Sequence, residues 1–117
     1  MKNFRTYEIS KSFYQIIEQT EWPSHLRDQA LRAASSVVLN VAEGAGLPSR
    51  KQKSKHYSIA MGSLREVQAA LEINTVAETT KALQAADHLA AHLYKLCQSV
   101  GPSLQVYPNK RAHDEYR

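Results

Sequence analysis

Four glycines and four prolines decide where this chain can bend. All but one of them fall at three places: Pro23, then Gly44, Gly46 and Pro48, then Gly101, Pro102 and Pro108. Only Gly62 lies inside a periodic stretch. Between the breaks run long stretches rich in Ala, Leu, Glu, Gln, Lys and Arg, all good helix formers. No credible strand, internal repeat or low-complexity tract interrupts them. A chain of 117 residues fits one domain, and at that size a single apolar core can form without disulfides or metals.

Helix one is expected from Phe4 to Gln19, where Ile9, Phe13, Ile16 and Ile17 mark one apolar face, with Tyr7 and Tyr14 beside it. The turn Thr20-Glu21-Trp22-Pro23 ends it, because a residue before proline is pushed out of helical geometry. Helix two is expected to start at Ser24 as N-cap and to run to Glu43, with Gly44 and Gly46 stopping it. At about 100° per residue, Ala33, Leu26, Val37, Ala30, Val41, Ala34, Val38, Leu31 and Ala42 fill an arc of roughly 180° that only Arg27 interrupts. One bundle core needs a stripe only a little over about 100° wide. The excess predicts burial on two sides, one toward the bundle and one toward a neighbouring subunit.

Ser49 and Gln52 have the spacing of a capping box opening helix three, which is expected from Arg50 to Asn74. Tyr57, Ala60, Met61, Leu64, Val67 and Leu71 form its core stripe. Lys51, Lys55, Ser58, Gly62 and Ala69 lie on the far side, where small residues would let another backbone approach. Helix four is expected from about Thr79 to Ser99, with Leu83, Ala86, Leu89, Ala90, Leu93, Leu96, Cys97 and Val100 forming a broad apolar arc. The predicted fold is all-α, an antiparallel up-down-up-down four-helix bundle over residues 1–100, followed by an irregular tail over 101–117. Leu104, Val106 and Tyr107 could pin that tail to the bundle or to a neighbour.

The formal net charge is +4 and the isoelectric point about 9.3, a lean toward polyanionic partners. No segment approaches the roughly 20 apolar residues of a membrane span, and the N-terminus lacks the apolar run of a secretory signal. One cysteine, Cys97, allows no intrachain disulfide. The expectation is a soluble, cytoplasmic protein without membrane contact.

At helices two and three the chain resembles a known bacterial family. Asn40-Val41-Ala42-Glu43-Gly44-Ala45-Gly46, then Ser49, then Ala60-Met61-Gly62-Ser63-Leu64-Arg65-Glu66 match the pattern Asn-x-Ala-Glu-Gly-x-Gly, a capping serine, and Ala-x-Gly-Ser-x-x-Glu, without a gap. Leu31-Arg32-Ala33-Ala34-Ser35-Ser36 and the Phe4-Arg5 opening are also similar. The family is the 23S ribosomal RNA intervening-sequence proteins, usually called four helix bundle proteins. The resemblance implies a bundle that assembles into a homo-oligomeric ring, a pentamer. It also implies kinship with accessory subunits of reverse transcriptases, which bind the polymerase and nucleic acid. Leu47-Pro48 departs from the basic residue the family often has after the second glycine. Lys53 and His56 stand where it often has an aromatic.

Arg50, Lys51, Lys53, Lys55 and His56 make the densest basic run, with Arg65 on the same side of helix three. Clustered Lys and Arg suffice to track phosphates, and cations near a helix N-terminus oppose the macrodipole, which argues for a use beyond solvation. Repetition around a ring would add avidity, and Lys110, Arg111 and Arg117 of the tail could join. The plain alternative is a solvated helix start.

Asn40, Glu43, Ser63 and Glu66 read as a structural polar network fixing helix register. A polar functional pocket is the weaker reading, and the paired Glu-x-x-His ligands of di-metal bundles are missing. His88 and His92 have the four-residue spacing of a metal pair but no third ligand nearby in sequence, so solvation is favoured. Cys97 reads as a core residue. No catalytic or metal site and no cofactor is expected. The reading is a non-enzymatic homo-oligomer binding RNA or a ribonucleoprotein through Arg50, Lys51, Lys53, Lys55 and Arg65. The alternative is a scaffold or accessory subunit docking another protein, such as a reverse transcriptase.

Overall fold

The computed structural model describes residues 4–101. Helices α1 (Phe4–Gln19), α2 (Ser24–Gly46), α3 (Arg50–Ile73) and α4 (Thr80–Ser99) account for nearly all of them, with no strand among the described residues. The expected tail, with Leu104, Val106, Tyr107, Lys110, Arg111 and Arg117, lies outside the described residues.

Each helix packs on its neighbours in the chain, and α4 closes on α1. Along α2 and α3 the partners run in opposite order: Gln29 meets Glu66, Ser36 meets Ser63, and Asn40 meets His56. Along α3 and α4, Arg50 meets Ser99 and Gln68 meets Asp87. One end of the molecule therefore gathers the start of α3 with the ends of α2 and α4. At the opposite end, Asn74 Nδ2 donates to Glu21 O at 2.8 Å, tying the α3–α4 connection to the α1–α2 turn. Trp22 is buried in that turn and its indole N–H donates to Ile17 O at 3.0 Å.

Phe13 and Ile17 carry the inner face of α1, while Ile9, Tyr7 and Tyr14 pack half-buried at its margins and Ile16 is exposed. In α4, Ala82, Ala86, Leu89, Leu93 and Leu96 are buried. Cys97 is half-buried against the core, and burial pushes its thiol pKa up, so it is less readily ionised than a free cysteine.

The wide apolar arc of α2 divides in two. Leu26, Ala30, Ala33, Ala34, Val37 and Val41 are buried within the chain, whereas Leu31, Val38 and Ala42 on the far edge are only half-buried. Leu39, beyond that edge, is 66% exposed.

Two sequence expectations about α2 need correction. Ser24 is its first helical residue and not its cap; Pro23 precedes it in extended geometry and no side chain caps the end. Gly44 and Gly46 do not stop the helix, which continues through Gly46 and ends at extended Leu47. Gly44 is buried there for another reason. A Cβ on it would lie 2.6 Å from Cε1 of Tyr57, whose side chain is fully buried. Glycine lets the Tyr57 ring lie directly on the α2 backbone. At Gly46 a Cβ would meet nothing within 4 Å.

These two glycines make a matched test. Gly44→Ala should lose about 1–2 kcal/mol, since overpacking against an immobile ring outweighs the helix propensity gained. Gly46→Ala should be neutral or stabilising by up to about 1 kcal/mol. Urea denaturation of both variants measures the contrast.

Candidate nucleic-acid interface

Helix α3 begins as expected. Ser49 Oγ accepts from the backbone N–H of Gln52 at 3.1 Å and donates to Gln52 Oε1 at 2.9 Å, so the two residues are bonded twice. Arg50, Lys51 and Lys55 are exposed on the turns that follow, with no acidic residue in the first turn. The structure separates the other two predicted contacts from this group. Lys53 turns back toward α2 and its ammonium donates to the carbonyls of Gly44 and Ala45, both at 3.1 Å. It thus adds a charged donor to the carbonyls at a helix C-terminus, Gly44 O already accepting from the Leu47 N–H, and a cation there is also favoured by the helix dipole. Arg65 is exposed but stands ten residues from Lys55, about 15 Å along the helix axis. It lines a shallow groove with Glu72, Leu83 and Asp87.

Residues from other helices take their place. Arg50 Nη2 donates to Ser99 O at 3.3 Å, so the start of α3 touches the end of α4. Lys95 is exposed one turn before that point, and Arg5, exposed at the start of α1, lies close enough to His92 on α4 to act on its charge. This end of the bundle holds Arg5, Arg50, Lys51, Lys53, Lys55 and Lys95 against Glu8 and Glu43, and Glu8 is paired with Lys11 at 3.1 Å. The opposite end carries Glu18, Glu21, Asp28, Glu72 and Glu78 against Arg27 and Lys81 and is net acidic. The bundle is electrically polarised along its length.

The polar network exists with different members. Asn40 Nδ2 donates to Ser36 O at 2.9 Å and to Ser36 Oγ at 3.2 Å. Asn40 Oδ1 accepts from His56 Nδ1 at 2.9 Å, which places a proton on that ring nitrogen. Ser36 Oγ and Ser63 Oγ are 2.8 Å apart, and Gln29 donates to Glu66 Oε2 at 3.3 Å. Ser63 and Glu66 are buried. Asn40, Ser63 and Glu66 therefore lie on the α2–α3 seam. Glu43 is exposed and takes no part in these bonds. Gln29, Ser36 and His56 were missed. The signal was available in part, because Ser36 is one helical turn before Asn40 and shares its face.

Asn40, Ser63 and Glu66 of this seam lie within the motif. The family model described as 23S rRNA-intervening sequence protein matches residues 4–105, spanning all four helices. The chain belongs to this family. No curated protein and no solved structure gives a match. Within the 23S rRNA-intervening sequence proteins, the Asn-x-Ala-Glu-Gly-x-Gly motif of this chain contributes a seam residue, Asn40, and a contact glycine, Gly44.

Lys53→Gln should cost about 0.5–1.5 kcal/mol, because two helix-end carbonyls lose a charged donor. Its effect on binding to any polyanion should be small beside that of Lys51→Gln. Chemical denaturation and a binding titration of both variants separate the two roles.

Proposed function

We propose that this family member is a non-enzymatic, homo-oligomeric helical-bundle protein of antiparallel up-down-up-down topology that binds RNA or a ribonucleoprotein. The binding surface is the basic end of the bundle, centred on Arg50, Lys51 and Lys55 at the start of α3. The observation that carries this reading is the charge polarity just described: exposed cations from three helices converge at one end with few carboxylates among them. Phosphate tracking needs clustered cations without exact geometry, and sequence preference, if present, would come from RNA shape. Tyr57 is fully buried and supplies no stacking platform. The family's descriptive name, which refers to ribosomal RNA, is compatible with this reading.

Self-association is supported by α2. Leu39 is exposed, Leu31, Val38 and Ala42 are half-buried along one edge, and a groove between α1 and α2 is lined by Tyr14 and Val38. A ring of copies would repeat the basic end and multiply weak phosphate contacts. Light scattering should return a multiple of the 13.2 kDa chain mass. Gly62→Leu, on the small-residue side of α3, should shift that mass downward; a wild-type protein that is monomeric at all concentrations would end the proposal of a ring.

The RNA reading is tested by binding across a salt series. Affinity should fall steeply with salt. Lys51→Glu/Lys55→Glu should weaken binding at every salt concentration and flatten the log–log slope by about 2, one for each phosphate no longer neutralised. No binding at low salt would make the basic end a solvated surface. The alternative, a scaffold docking another protein such as a reverse transcriptase, would then lead.

A further inference from the structure

The outer face of α4 carries a second basic stripe. Lys81, His88, His92 and Lys95 are spaced by seven, four and three residues and so share one side of the helix over about 21 Å. The sole carboxylate of α4 is Asp87, which lies toward α3 and accepts from Gln68 at 3.3 Å. Arg5 of α1 faces the His92 end of the stripe. Lys81, His88 and Lys95 are exposed, His92 is half-exposed, and none of the four has an ion pair among the described residues. The two imidazoles stand edge to face, with ring centroids 4.9 Å apart.

His88, His92 and Lys95, with Arg5 beside them and no ion pair to any of them among the described residues, are an unbalanced arrangement for a solvent face. We infer that the α1–α4 face around Arg5, His88, His92 and Lys95 is a second phosphate-binding surface, which holds the RNA backbone more tightly when His92 is protonated. This inference rests on the RNA reading above and adds a site and a proton linkage to it. The stripe meets the first surface at the basic end, where Arg50 touches Ser99, so one RNA strand can follow both.

The charges acting on His92 are His88 and Lys95 from α4 and Arg5 from α1; α3 contributes none. Partial burial first, and then repulsion from those three groups, holds the His92 pKa below its usual value. In the free protein His92 is therefore held toward its neutral form. A phosphate between these groups offsets the repulsion and favours the imidazolium, so the His92 pKa rises on binding. The complex then takes up a proton that the free protein does not hold, and affinity increases as pH falls through the histidine range.

The experiment is a titration of a fluorescein-labelled RNA hairpin with the full chain at about pH 5.5 and about pH 7.5, at fixed ionic strength. Wild type should bind several-fold more tightly at the lower pH, the gain from one histidine that takes up its proton more readily in the complex. His88→Gln/His92→Gln should bind equally at both values, with circular dichroism reporting its folding. His88→Gln alone, an exposed change, should reduce the pH effect if the double variant does not fold. Lys51→Glu/Lys55→Glu should lose affinity at both pH values and keep the pH ratio. RNA binding that is independent of pH, or a pH ratio that survives removal of the histidines, overturns this inference and leaves the RNA reading standing. Absence of RNA binding at both pH values overturns both.

Discussion

The close approach of α2 and α3 is the constraint on which the rest of this bundle depends. Where the two helices converge, Gly44 has no side chain and Tyr57 lies against bare backbone. Away from that point they are spaced by paired polar groups, Asn40 with His56 and Ser36 with Ser63. Apolar side chains would permit the helices to slide by a turn at little cost. A hydrogen-bonded pair on a half-buried seam does not, because a slipped register leaves donors and acceptors without partners. Lys53 closes the same joint by bonding the last carbonyls of α2. With α2 and α3 fixed, α1 and α4 need only cover the two remaining apolar faces.

Most of the fold was legible because breaks and periodicity agree. Pro23 and the Gly44-to-Pro48 segment bound the helices, and three- and four-residue spacing identified Phe13, Ile17, Leu64, Leu71, Leu89 and Leu93 as interior. The role of Gly44 was not legible, since a glycine near a helix end fits a stop as well as a close approach. Distinguishing them requires knowing that Tyr57, thirteen positions later, lies across from it. The same limit applies to Ser24, where Pro23 took the cap position.

The candidate site was legible only where it is local in sequence. Arg50, Lys51 and Lys55 are near neighbours in the chain and were found. Arg5 and Lys95 join them through tertiary packing alone, and no spacing rule connects residues so far apart in the chain. Lys53 belongs to the same run by count but points the other way, because the short loop brings the C-terminal carbonyls of α2 within its reach. Glu43 shares a motif with Asn40 and lies within about 60° of it around the helix, yet it is exposed and joins none of the seam's bonds.

The α2–α3 joint also bears on how the chain acquires its structure. Its partners are close in sequence, joined by residues 47–49, so loop closure is cheap and this helical hairpin is a natural nucleus. During synthesis α1 emerges first yet finds its neighbour only when α2 follows, and its other flank stays open until α4 is complete. The nascent chain therefore carries the exposed face of α1 for longest. The step most vulnerable to misassembly is the final docking of α4 across α1.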